Sequence, residues 1–320
     1  MHKILVVFAI LFGAQAHADV YGYEQWMPTM VKNYLMEVTS YAPNREPGGC
    51  DSMYGPMLKD GVLDIVYAFG YFDDSTGAER IEGGVNYGYS PSLDIAAFKA
   101  MRQAIVGACN GFSSRLCGFS EAGNPDAGRL TFEKRMKLNG QKIVVRITMT
   151  HASASESFAR NKGELAGRQK LMSLQSEENY FEGLKTADIV FYNGHSRNGG
   201  GPDFNPPILN SHMKTDYDNY YEIRRPGIKR VLASLTSNPN PGFVLGLFSC
   251  YSRKHFLDNF MNTNSKQRLI LSADTIDYMD TMNASAGYLE GMLHGLCGSQ
   301  LSDVAERNEK LRGGFQDWNF

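Results

Sequence analysis

Beyond its opening residues, the 320-residue sequence lacks any uncharged apolar stretch near the roughly 20 residues that a membrane-spanning helix needs. The body of the chain therefore offers no segment that reads as a span. Charge of one sign is missing too: 32 Lys and Arg stand against 34 Asp and Glu, a net −2, with the basic residues scattered. Without a basic stripe, a nucleic-acid partner is not expected. Low-complexity tracts, internal repeats, a Walker loop and a dinucleotide fingerprint are all absent. No cofactor and no metal are expected. The nearest approach to a cation loop, Asp216, Asp218 and Glu222, lacks the glycine that a calcium loop needs for its sharp turn, and reads as a solvated loop.

Cysteine is scarce as well, with five in the chain: Cys50, Cys109, Cys117, Cys250 and Cys297. In an oxidising compartment thiols pair, and an odd count leaves at least one over. Cys109 and Cys117 flank a short turn containing Gly111 and Ser113 and are the easiest pair to close. Cys50 with Cys297 is a second option, although sequence alone does not fix connectivity. Cys250 is then the natural odd one out.

What the chain does have begins at its N-terminus. Met1 to Lys3 make a short basic start, Ile4 to Phe12 an apolar run, and Ala16-His17-Ala18 places small residues where a signal peptidase reads them. Residues 1–18 are thus expected to be a secretory signal cleaved after Ala18. The mature protein is expected to be periplasmic or secreted, with no membrane partner once the signal is removed.

Residues 19–128 read as an accessory α+β region, with a strand near Asp64–Phe69 and a helix over Ser92–Val106, where Ile95, Phe98, Met101 and Ile105 recur at helical spacing. From residue 129 to 320 the pattern becomes α/β. Leu130, Phe132, Met136 and Leu138 alternate up to Asn139-Gly140, a dipeptide suited to a tight type I′ hairpin, and Ile143, Val145, Ile147 and Met149 resume the alternation up to His151. A polar helical stretch follows, near Glu156–Gln175. Three nearly continuous apolar runs come next: Ile189–Tyr192 before His195, Phe243–Phe248 before Cys250, and Leu269–Leu271 before Asp274. Such runs suit strands buried on both faces of a parallel sheet, and the helical patterns between them suit crossovers. The polar residues at the strand ends should then gather along one sheet edge, where open α/β sheets bind ligands.

His195 and Cys250 are the pair this places together. A thiol ahead of a helix is favoured as thiolate by the helix's positive end, an imidazole beside it can move a proton, and the Cys250 N–H is a candidate donor to a developing oxyanion.

The segments Asp188–His195 and Gly242–Cys250 resemble the histidine and cysteine blocks of the caspase-like cysteine peptidases, a group that includes caspases, metacaspases, legumain, clostripain and gingipains. The resemblance spans roughly residues 142–297. It implies a mostly parallel sheet flanked by helices and peptide-bond hydrolysis of a peptide or protein substrate. By the same resemblance Cys250 is the nucleophile, His195 protonates the leaving amine, and the N–H groups of Ser196 and Cys250 form the oxyanion hole. The family carries glycine directly after the histidine, whereas here Gly194 precedes it and Ser196 follows. Members that cleave after Arg or Lys often carry an acidic residue two positions before the cysteine, where this chain has Phe248.

For substrate binding, Asp274 and His151 are candidates at the ends of neighbouring strands, with a turn cap as the plainer role for Asp274. Arg197 and Arg253 flank the pair and offer attraction for an acidic group instead. His294 reads as an exposed helix histidine. The alternatives to an endopeptidase are an amidase acting on cell-wall peptides with the same dyad, and an inactive binding protein on this scaffold.

Overall fold

The computed structural model describes residues 28–34, 50–72, 80–82, 85–88, 92–109, 114–124, 128–152, 166–212, 214–237, 243–306 and 314–320. The expected signal segment, the start of the polar helical stretch and the turn 110–113 between Cys109 and Cys117 lie outside them.

In chain order the elements are α1 (28–34), α2 (Asp51–Met57), β1 (Val62–Phe69), β2 (Arg80–Glu82), β3 (Val85–Gly88), α3 (Ser92–Val106), β4 (Ser120–Asn124), β5 (Arg129–Leu138), β6 (Gln141–His151) and α4 (Ala166–Thr186). They continue with β7 (Ile189–Asn193), α5 (Pro226–Ser237), β8 (Val244–Phe248), α6 (Ser252–Thr263), β9 (Arg268–Ser272), α7 (Tyr278–Leu293), α8 (Ser299–Glu306) and β10 (Phe315–Trp318). β2 and β3 pair with each other, and the other eight strands form one mixed sheet in the order β10-β9-β8-β7-β1-β6-β5-β4.

The α/β class expected from the sequence is what folds. β6, β1, β7, β8 and β9 run parallel, and β1, β7, β8 and β9 are buried almost throughout, as strands covered on both faces require, whereas β6 alternates before its buried end. One face of the sheet packs on α3, α7 and the α1, α2 and α8 side chains; the other packs on α4, α5 and α6. In α5, Ile228, Val231 and Leu235 turn one stripe inward, as their spacing requires. The hairpin forms where expected: Asn139 and Gly140 have φ of 49° and 82°, and Phe132 pairs with Ile147.

Two features differ from the sequence reading. The strands do not all point one way, because β5 and β10 run antiparallel to the parallel block, while β4, antiparallel to β5, points along it again. More consequentially, β1, read as part of an accessory region, lies in the middle of the sheet between β7 and β6. Phe98, Met101 and Ile105 of α3 belong to the same apolar cluster as β1, β6 and α7. Local patterns announce that a strand exists, but not which strands it will sit between.

Candidate functional site

β7 and β8 are parallel neighbours, and the last residue of each, Asn193 and Phe248, are in register. His195 and Cys250 each follow two residues later, so they leave the same edge on strands about 4.8 Å apart. Gly194 N–H donates to Phe248 O (3.2 Å), which carries the pairing one residue past β7. The His195 ring, partly buried, has Nε2 2.8 Å from the backbone oxygen of Phe72, in the chain just after β1. A carbonyl only accepts, so Nε2 is the nitrogen that carries the proton shared with Phe72 O, which fixes the ring's orientation.

Cys250, also partly buried, makes neither disulfide, and its thiol donates to Ile276 O (3.3 Å). The strand turns sharply here. Tyr251 has φ of 51°, its N–H donates to Asp274 O (2.9 Å), and α6 starts at the next residue. Ser252 pins the turn: its Oγ donates to Leu247 O (2.7 Å) and accepts from Ser272 N–H (2.8 Å). Left-handed backbone at a non-glycine residue costs about 1–2 kcal/mol, and strain of this kind clusters at functional sites. The chain after His195 is bent likewise, with φ of 48° at both Arg197 and Asn198.

The N–H groups of Ser196 and Cys250, expected as oxyanion donors, have no hydrogen-bond partner among the described residues. Ser196 is buried, and its carbonyl accepts from Gly199 N–H (2.9 Å) and Gly201 N–H (3.0 Å), which curls the loop after the histidine.

That loop is held by groups with no sequence motif to announce them. The Tyr192 hydroxyl lies 3.0 Å from both His195 O and Asp203 O and accepts from Asp203 N–H (2.9 Å). Asp203 Oδ2 receives Arg197 Nε and the Tyr221 hydroxyl, each at 3.0 Å. Burial pushes the Asp203 carboxyl up, and the Arg197 guanidinium, its side chain 0 % exposed, opposes this. A Cβ on Gly194 would lie 2.5 Å from the Tyr192 hydroxyl, which is why glycine stands before the histidine in this chain. Arg197 is thus turned into the protein rather than towards an acidic substrate, and Arg253 lies over the Trp318 ring at 5.9 Å.

The other candidates separate. His151 ends β6 on the same edge but is 4 % exposed and stacked on Phe98 (4.5 Å), with Nδ1 3.0 Å from Ala152 O; burial lowers its pKa to about 4. It is a packed core histidine. Asp274 is exposed and its Oδ1 accepts Thr275 N–H (2.7 Å), the turn-capping role. His294 is not an exposed helix residue: it ends α7 partly buried, with Nε2 2.9 Å from Glu290. Asp216 caps a π-helical stretch, Tyr217–Arg224, by accepting from Asn219 and Tyr220 N–H. Cys109 with Cys117 and Cys50 with Cys297 lie at Cα separations of 5.4 and 5.8 Å, their sulfurs placed compatibly with disulfide bonds. Among the described residues no His, Cys, Asp and Glu cluster has the makings of a metal site, and no helix is long and apolar enough to cross a membrane.

The groups missed from sequence are the Phe72 carbonyl, Tyr192 and Asp203. A backbone oxygen has no residue-type signal, and a tyrosine inside an apolar run reads as core. No family profile, no curated protein and no solved structure matches this chain.

Proposed function

We propose that this protein is an exported cysteine endopeptidase of the caspase-like kind, working through His195 and Cys250. The observation that carries the reading is the placement of these residues two positions beyond register-paired ends of adjacent parallel strands, with the imidazole tethered through Nε2 to Phe72 O. In this mechanism the His195 imidazole takes the Cys250 proton as the thiol leaves the Ile276 carbonyl. The thiolate attacks the substrate carbonyl, and the N–H groups of Ser196 and Cys250 meet the oxyanion. The imidazolium then protonates the departing amine, and water hydrolyses the thioester with His195 as base. Export follows from the signal-like residues 1–18 and agrees with paired cysteines placed for disulfides.

The test is a peptide carrying a thiol-reactive electrophile. The wild-type protein is expected to be labelled at Cys250, Cys250→Ala to stay unlabelled, and His195→Ala to react at least about 100-fold more slowly, the scale of a lost general base. Labelling at equal rates with and without His195 would sink the dyad.

A further inference from the structure

On the sheet face away from α7, a cavity of about 380 Å³ opens between α4, α5, the chain from Gly200 to Ile208 and the π-helical stretch Tyr217–Arg224. Neither His195 nor Cys250 lines it. The volume falls in the roughly 300–1,000 Å³ range of small-molecule sites.

The walls are aromatic and rich in proline. Phe204, fully buried, packs on Phe181 with ring centres 6.4 Å apart, and Tyr220 and Tyr221 stand edge to face at 5.0 Å. Pro202, Pro206 and Pro226 bring no N–H groups to the lining, so its hydrogen-bond donors come from side chains. Arg230 of α5 rests on the Phe181 ring (3.7 Å), and its Nη1 donates to Glu177 Oε1 of α4. Glu177 Oε2 accepts from Asn205 Nδ2 (3.4 Å). A carboxylate and a guanidinium are thus held in place while both stay partly exposed.

Each of them keeps bonding capacity. Arg230 Nε and Nη2 have no partner among the described residues, and nor does the Tyr220 hydroxyl. Burial and the Asp203 charge push that hydroxyl up, Glu177 adds to the rise and Arg224 opposes it. The hydroxyl therefore stays protonated, within the field of two carboxylates that belong to cavity residues.

We propose that this cavity binds an uncharged saccharide, one or two pyranose rings, independently of any reaction at Cys250. An anion there meets Glu177 and a cation meets Arg230, while a bare hydrocarbon strips water from both and replaces none of it. A hydroxyl both donates and accepts, so adjacent hydroxyls of one ring donate to Glu177 and accept from Arg230 and Tyr220. The C–H face of the same ring, weakly positive, matches the negative face of a tyrosine.

The experiment is calorimetric titration of the wild-type protein with maltose, cellobiose, mannobiose and diacetylchitobiose, beside phenylpropionate as an anion and acetyl-arginine amide as a cation. At least one disaccharide is expected to bind with Kd below about 1 mM, and more tightly than either ion. Tyr220→Ala should weaken that binding at least about 10-fold, through loss of the ring and its hydroxyl. Tyr220→Phe should weaken it by about 5-fold, the scale of one hydrogen bond. Tyr220 is only partly buried, so both variants are expected to melt as the wild type does. Should Tyr220→Ala unfold, Tyr220→Phe decides, because it keeps the ring. No disaccharide binding at about 10 mM overturns the proposal. Tighter binding of either ion overturns it too, as does disaccharide binding that the Tyr220 variants retain in full.

Discussion

The Tyr192 hydroxyl joins three backbone groups, and two of them belong to the loop that ends at Asp203 rather than to the strand that carries the tyrosine. Tyr192→Phe removes one atom and leaves those groups without a partner in a buried place, which costs about 1–3 kcal/mol. Denaturant melts should show that loss, and peptide hydrolysis should lose kcat with KM little changed, because the loop orients His195 without touching substrate. A half-buried carboxyl and a buried imidazole give stability opposite slopes with pH. Burial raises the Asp188 carboxyl from 3.8 to about 7, with Asp64 and Asp60 adding to the rise and the Asp64 N–H opposing it. Between these values the folded chain holds a proton that the unfolded chain has lost, so this contribution favours folding at the acid end and is lost as pH rises through about 7. His151, lowered from 6.5 to about 4, works the other way: stability is present above 6.5 and lost as pH falls towards 4. Asp188→Asn should therefore raise the melting midpoint more at pH 8, above the window, than at pH 5, where the loss is only part complete. His151→Phe, which keeps a ring against Phe98, should flatten the decline between 6.5 and 4. Thermal melts across pH read both, and parallel curves for variant and wild type would contradict the assignments.

Among the elements, α7 holds the most together. Asp277 caps its start by accepting Met279 and Asp280 N–H, and Glu290, 1 % exposed, accepts the N–H groups of Arg115 and Leu116 and the Ser114 hydroxyl. This fastens the chain around Cys117 to the helix. The Cys50–Cys297 bond closes the far end, joining the start of α2 to the chain after α7 across a separation of 247 residues. Loop-closure entropy scales with the logarithm of that separation, giving roughly 5 kcal/mol, against roughly 2.5 kcal/mol for the eight-residue separation of Cys109 and Cys117. Paired Cys→Ser variants should follow that order in denaturant melts, with Cys250 labelling retained in both. The reverse order would remove the long bond as a brace. The elements were also the most legible part of the chain. The Asn139-Gly140 turn, the apolar runs of β7, β8 and β9, and the stripe of α5 each declare themselves through local periodicity and turn chemistry. The companions of the proposed dyad did not, since Phe72 O reaches the His195 ring and Asp203 reaches Tyr192, Arg197 and Tyr221 only in the folded chain, Tyr192 sits inside an apolar run, and the packing of Phe98 on His151 is a contact between distant segments.

At the scale of the whole molecule, the position of β1 decides what is divisible. β6 and β7 both pair with β1 and not with each other, so a chain starting at Arg129 has a gap through the middle of its sheet. Such a fragment should show no cooperative thermal transition, while addition of residues 19–128 as a separate chain should restore one. A sharp melt from residues 129–320 alone would mean the two parts fold independently. Sequence patterning hid this, because parallel strands buried on both faces carry no record of their neighbours. The sheet's outer margin has a different consequence. β4 is Ser120-Glu121-Ala122-Gly123-Asn124, mostly exposed, with Glu121 held by Arg102 (2.6 Å) and Gly123 at φ of 109°. A charged, glycine-bent, five-residue margin is a poor template for another strand. In a crowded compartment without room for mistakes, the molecule presents along β4 a border that discourages stacking into fibres.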